Sequence, residues 1–275
     1  MIRVFEKAKH AELYAVYRPK YPNAVVEDIA KYVKMEKGIV RGDKIDLMVD
    51  VGCGTGHSTN IFQPYVRKII GFDPSKRQIE QAMKRKFHTN ISYMVSQAEA
   101  MPLRSDSVDL VCSGMSAHWL DFELFYRECR RVLKPTGCLA LYGYCRPALA
   151  QIGSDPDPRV TPILSELHSK CVWHERNSHV HDRYCKIFDK ISTENKHRID
   201  SHKIQQSICL KDFLQYVSTW SGYQKLLDQK SLPELDILTD FANNLKKLWG
   251  MEQLSDNQVN IQVTWEVFVI LAGRL

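Results

Sequence analysis

The segment Val49-Asp50-Val51-Gly52-Cys53-Gly54-Thr55-Gly56 sets three glycines at alternate positions directly after an apolar run. Glycine removes the side chain where a chain turns sharply and lets a ligand lie against the backbone. About twenty residues on, Asp73 ends a second apolar run, where an α/β nucleotide site sets a carboxylate on ribose hydroxyls. The loop closes early at Thr55-Gly56, so it is not GxGxxG, and it lacks the Lys-Ser/Thr of a phosphate-gripping loop. The pattern points to a ligand with a ribose and no phosphates. Asp50 is a second carboxylate within the first run. It suits either a buried acid that accepts loop amides or a counter-charge for a cationic ligand.

These residues need a scaffold, and the flanking sequence supplies one. Val25, Val26, Ile29, Ala30 and Val33 recur at helical spacing over residues 23–35. Apolar runs at 45–51, 68–73, 91–95, 107–112 and 138–144 read as buried strands. Helices are expected at 58–66, from Pro74-Ser75 through Met83, and at 122–133, the last stopped by Lys134-Pro135-Thr136-Gly137. This alternation is the signature of a parallel sheet with helices on both faces. Beyond Tyr144 the pattern loosens. Residues 147–162 read as a proline-rich loop followed by a helix to Trp173, 196–210 as containing a strand, and 210–248 as helical with breaks near Trp220-Ser221-Gly222 and Pro233. Residues 259–272 read as a final strand, half of a hairpin.

The chain has 275 residues, 44% hydrophobic and 25% charged, which suits a globular protein. Its net charge of +6 is spread among acidic residues, without the dense basic stripe and stacking aromatics of a nucleic-acid binder. The opening Met-Ile-Arg-Val-Phe-Glu-Lys lacks the apolar core of a signal peptide, and no run is long enough to span a membrane. Eight cysteines fall at irregular spacings without a CxxC pair, so a reducing, cytoplasmic setting is expected. His168, His174, His179 and His181 do not match common zinc spacings and are read as surface or structural, with no metal.

In order along about ninety residues, the chain carries the glycine loop, Gly71-Phe72-Asp73-Pro74-Ser75, Gln97-Ala98-Glu99-Ala100-Met101-Pro102-Leu103, Ser107-Val108-Asp109-Leu110-Val111 and Arg131-Val132-Leu133-Lys134-Pro135-Thr136-Gly137. In this series it resembles the Rossmann-like S-adenosylmethionine-dependent methyltransferases. The resemblance implies an α/β fold: a seven-stranded, mostly parallel sheet with helices on both faces and a helical cap. It also implies a cofactor, S-adenosylmethionine, left as S-adenosylhomocysteine after transfer. Gly52, Gly54 and Gly56 would cradle its amino-acid end, Asp50 would lie beside that cationic end, and Asp73 would hold the ribose. Gln97 and Ala98 would flank the adenine, and Ser113 would face the sulfonium.

Three further segments are similar to the trans-aconitate methyltransferase-like group: Tyr17-Arg18-Pro19-Lys20-Tyr21-Pro22, Ala117-His118-Trp119-Leu120-Asp121 and Ser218-Thr219-Trp220-Ser221-Gly222-Tyr223. The first also suits a rigid extended segment, the second a packed aromatic pair, and the third the core of a cap. As site residues, Arg18 would pair bidentately with a carboxylate. His118 would hydrogen-bond the acceptor or serve as its base, and Tyr17, Tyr21, Trp119, Trp220 and Tyr223 would wall the pocket.

The expected reaction is methyl transfer to a small molecule, with O-methylation of a small organic acid as the leading reading. Transfer to carbon, nitrogen or sulfur, and a non-catalytic cofactor-binding module, remain open beside it. The expected organisation is a single domain over 1–275, with a core at about 44–145 plus 259–273 and a cap from 1–35 and about 210–250. It is expected to act as a monomer or homodimer with no nucleic-acid or membrane partner.

Overall fold

The computed structural model describes residues 8–38, 43–85, 88–229 and 237–275. Five parallel strands, β1 (Ile45–Val51), β2 (Val66–Asp73), β3 (Ile91–Val95), β4 (Val108–Gly114) and β5 (Leu133–Tyr144), lie side by side in the order β3-β2-β1-β4-β5. Three more follow: β6 (Ala148–Gln151), β7 (Lys196–Cys209) and β8 (Asn260–Gly273), with β8 antiparallel to β5, β6 and β7. Because β7 occupies one edge of β8 along its length, β5 and β6 share the other. β6 thus continues the line of β5 after a break at Cys145-Arg146-Pro147, and the eight strands fill seven positions.

Alternation along the strands divides the interior in two. Met48, Leu110 and Ala140 belong to one hydrophobic core, and their neighbours Val49, Val111 and Leu141 to the other. On the first face α2 (Asn23–Lys37) buries Val25, Ile29 and Val33 against β1, β5 and β8. On the second, α4 (Phe122–Val132) buries Phe125, Cys129 and Val132. Asp121 starts α4 by accepting the Leu124 N–H, and Ser75 starts α3 (Lys76–Lys84) by accepting that of Gln78.

Several expectations change. The helix expected at 58–66 is a single 3-10 turn, Thr59–Phe62; Pro64 has no N–H to carry it further, and β2 begins at Val66. β5 begins at Leu133 instead of 138, directly from the end of α4. The loop expected at 147–162 contains β6 and the first turn of α5 (Val160–Lys170). The final strand forms no hairpin, since the chain between β7 and β8 folds α8 (Leu210–Ser218), α9 (Ser221–Asp228) and α10 (Ile237–Trp249). The break expected at Pro233 lies outside the described residues. The segment 1–35 is not one cap: α1 (Ala8–Tyr17) packs on α8 and α3, whereas α2 lies on the sheet. α5 is the helix expected before Trp173; its joining with α6 (Ser178–His181) and α7 (Cys185–Asp189) into a lid over residues 152–195 was not foreseen. Among the described residues no helix is long and apolar enough to cross a membrane.

The fully buried Asp109 on β4 ties four elements together. It accepts from the Leu47 N–H on β1 at 2.9 Å, from Lys134 on β5 at 2.9 Å and from Lys37 at the end of α2. Burial alone would raise its pKa, but the lysines and the amide outweigh that and hold it below the usual carboxylate value. Asp109→Ala removes the counter-charge of Lys134 and leaves Lys37 only the more distant Asp46 at 3.9 Å, and is expected to cost about 3 kcal/mol in urea unfolding at pH 7. A depressed pKa stabilises above the unfolded value, near about 4. The gap between wild type and variant should therefore narrow as the pH falls below that point.

Candidate active site

The carboxyl ends of β1, β2 and β4 open into a cleft of about 980 Å³. Open α/β sheets bind ligands at this edge. Gly52 and Gly54 line it with φ of +66° and +55°, backbone that disfavours a side chain. A Cβ on Gly52 would also lie 2.5 Å from the Ser116 Oγ. Gly56 has φ +76° but does not line the cleft; a Cβ there would strike the Tyr93 hydroxyl at 2.3 Å, so this glycine admits the ring that packs behind the loop.

Asp73 lines the cleft, and both its oxygens are anchored: one accepts the Gly54 N–H at 3.0 Å and the other the Ser75 N–H at 2.8 Å. Asp50 lies beneath the loop, fully buried, and accepts the Thr59 hydroxyl at 2.6 Å on one oxygen. Its second oxygen has no hydrogen-bond partner among the described residues. Burial, with a smaller contribution from Asp73, pushes Asp50 up to about 7.

Asp50 stays behind the loop and does not line the cleft, and neither do the remaining expected cofactor residues. Ala98 is buried in the second core and Gln97 is exposed. Ser113 is enclosed and acts through Ser116: their hydroxyls are 2.6 Å apart, and Ser116 donates to the Val51 carbonyl. Gly114, Met115 and Ser116 line the cleft in its place. Thr55, His57 and Gln78 were missed; they face the cleft, and each holds a buried polar atom without a hydrogen-bond partner among the described residues. Their positions in the loop and in the first turn after Asp73 are the signal that would have found them. A ligand with a cationic amino-acid end and a ribose fits this set: Asp50 for the positive charge, the loop and its unpartnered atoms for the polar groups, and Asp73 for hydroxyls.

A second cavity of about 640 Å³ adjoins the first, and Tyr14, Arg18, Met115, Trp119 and Tyr144 line both. Met115 stands in left-handed backbone at φ +52° just past β4, and its Sδ accepts the Tyr144 N–H at 3.3 Å. Arg18 donates to the Thr219 hydroxyl at 2.8 Å, to the Thr219 carbonyl at 2.9 Å and to the Tyr144 hydroxyl at 3.0 Å. It has no acidic partner among the described residues, and its guanidinium carbon lies 4.7 Å from the Tyr14 ring centre and 5.5 Å from that of Tyr216. Trp265 orients Tyr216 by donating to its hydroxyl at 3.0 Å.

His118, Trp119 and Trp220 line this chamber as expected, whereas Tyr17 and Tyr223 pack against the core outside both cavities, and Tyr21 lines only the first. Tyr17 is displaced because α1 runs through it; the helix brings Tyr14, four residues before Arg18, onto the same face. The lid adds His168, Trp173 and His181, with the His168 ring stacked 4.2 Å from that of Trp173. Arg146, in the break between β5 and β6, lines the chamber without an ion-pair partner among the described residues. Burial first, and Arg146 second, hold His168 down to about 4.

S-Adenosylmethionine carries positive charge, so its binding should drive Asp50 to the ionised form. Calorimetry at pH 7 in two buffers of different ionisation enthalpy should show about half a proton released, and Asp50→Asn should abolish that release. Affinity should fall as the pH drops below about 7, because the cation then competes with a proton on Asp50. Gly52→Ala should weaken binding at least about tenfold, by strained backbone and the clash with Ser116.

A family model described as a methyltransferase domain matches residues 49–141. A Dictyostelium discoideum protein named as a methyltransferase is 30% identical over 263 residues, covering 95% of this chain and 92% of the relative. The Saccharomyces cerevisiae protein CRG1, named as an S-adenosylmethionine-dependent methyltransferase, is 26% identical over 296 residues, covering 95% and 94%. A solved structure from Anaeromyxobacter dehalogenans, described as a type II methyltransferase, shares the fold with a TM-score of 0.72 at 23% identity, covering 94% of this chain and 99% of that one. With a glycine cradle, two carboxylates and an adjoining chamber at the carboxyl edge of the sheet, the chain belongs to the S-adenosylmethionine-dependent methyltransferases.

Proposed function

We propose that this enzyme methylates a carboxylate oxygen of a small organic acid. The observation that carries the reading is Arg18. It is a guanidinium on the wall common to both cavities, held among the described residues only by uncharged oxygens. Three of its five N–H groups are engaged, and two remain to meet an acceptor. Charge around it supports the same reading. The chamber is lined by Arg18, Arg146 and three histidines, and by no carboxylate among the described residues. A site of that kind favours an anion and repels a cationic acceptor.

The cofactor supplies an activated methyl group on a positively charged sulfur, and a carboxylate oxygen that accepts it has no proton to lose. The protein's part is therefore alignment and exclusion of water. Arg18 fixes the anion beside the wall between the cavities. Trp119, Trp220 and Tyr216 enclose it with apolar surface, and α1 together with the 152–195 lid covers the chamber.

Transfer of labelled methyl to a panel of small carboxylic acids, phenols, amines and thiols tests this. Base-labile label on acids alone is expected. Label confined to amines, thiols or phenols would overturn the carboxylate reading and leave the methyltransferase assignment intact. With an accepted acid, Arg18→Ala should raise KM by about 10- to 100-fold, the range of a charged hydrogen-bonding partner.

A further inference from the structure

A site that accepts a carboxylate needs a donor near its oxygens more than it needs a base, and one buried contact bears on which of these His118 supplies. Its Nδ1 lies 2.7 Å from the Tyr184 hydroxyl, with both side chains buried. Its other ring nitrogen has no hydrogen-bond partner among the described residues, and the side chain lines the chamber.

Two arrangements of protons fit a 2.7 Å contact, and the surroundings choose between them. The Tyr184 oxygen faces the backbone N–H groups of Ala117 and His118, which can only donate. The phenol proton has no acceptor other than His118 Nδ1 among the described residues. If Nδ1 carried the hydrogen instead, the Tyr184 O–H would be left unpaired at a position with 0% exposure. Tyr184 therefore donates to Nδ1, and in the neutral ring the proton belongs to Nε2. Burial, reinforced by His179, Arg18, Arg176 and His174, holds the ring neutral down to about pH 3, while Asp182 lies on the Tyr184 side.

The backbone shows that this contact is built. Arg183 and Tyr184 are consecutive non-glycine residues in left-handed conformation, at φ +53° and +60°. Such positions are costly and persist where surrounding structure imposes them. Here the Tyr184 N–H is drawn to the His179 carbonyl at 2.7 Å, and the ring packs edge-on at 4.9 Å against Phe268 on β8.

We infer that Tyr184 is a positioning residue that fixes His118 as its Nε2–H tautomer, so that His118 serves the acceptor as a hydrogen-bond donor and not as a base. This rests on the carboxylate reading for the identity of the acceptor, but the tautomer does not.

A long-range proton–nitrogen spectrum of protein labelled at its ten histidines, with His118 assigned by the signals lost in His118→Gln, reads the tautomer without substrate. Nε2–H is expected from pH 6 to 8, and loss of that single form in Tyr184→Phe, whose shape is nearly unchanged. An Nδ1–H ring in the wild type, or a protonated one near pH 6, overturns the inference. Turnover gives a second readout on whichever acceptor the panel identifies. His118→Gln, which keeps an N–H, should retain kcat within about tenfold, with the loss in His118→Ala falling mainly on KM. Loss of about 100- to 10,000-fold in kcat in both variants is the mark of a missing base and would also overturn it. If no acid is methylated but the tautomer is Nε2–H, the acceptor reading fails while the role of Tyr184 stands.

Discussion

The guanidinium of Arg18 is held by oxygens from two places far from it in the chain, Tyr144 at the end of β5 and Thr219 at the end of α8. Buried or half-buried charge is tolerated where hydrogen bonds surround it. Each of those bonds also fixes an element: the first ties α1 to the edge of the sheet, and the others tie it to the helices after β7. His10 reinforces the arrangement through the same Thr219 carbonyl at 3.0 Å. Thr219 is thus spoken for on both of its oxygens, while the adjacent Trp220 is left to wall the chamber.

The two cavities meet where that arrangement touches the sheet. The parallel strands end at one edge, and the loops that leave them carry the glycines, Asp73 and the residues from Gly114 to Leu120. This is the common logic of open α/β sheets. What is particular to this chain is how the second cavity is closed. The break between β5 and β6 swings Arg146 out of the ladder, and the insertion that follows supplies aromatic and imidazole groups opposite Trp119. Arg176 pins that insertion by donating to the Trp119 and Leu120 carbonyls at 2.7 and 3.1 Å.

Local signals were enough for the parts that depend on local geometry. β1 and β3 begin and end where their apolar runs do; β1 lies inside the sheet and reads as a nearly continuous apolar segment, whereas β3, at the edge, leaves Met94 and Val95 exposed. Gly52, Gly54 and Asp73 followed from strand–turn spacing alone, which left Asp50 open between a buried acid and a counter-charge. Arg18, His118, Trp119 and Trp220 were legible through the family resemblance. Their partners were not: Thr219 is 201 residues from Arg18 and Tyr184 is 66 from His118, distances no periodicity spans. Of the lid, only the helix before Trp173 was legible; α6 and α7 are too short to show a period. Tyr17 and Tyr21 were misplaced because a helix and an extended segment meet between them, which turns neighbours in sequence toward different surroundings.

The strand order has a consequence for how the protein is made. β8 is the last strand in chain order, yet it lies inside the sheet, between β5 and β6 on one side and β7 on the other. A nascent chain therefore exposes its cofactor-binding half early, while the strand that joins that half to the β7 edge has still to leave the ribosome. Until it does, β5 and the 14-residue β7 both present unpaired backbone, the kind of edge that invites pairing with other chains. The charged and polar residues that crowd β7, from Lys196 and Arg198 to Lys203 and Gln206, suit a strand that must wait in water for its partner.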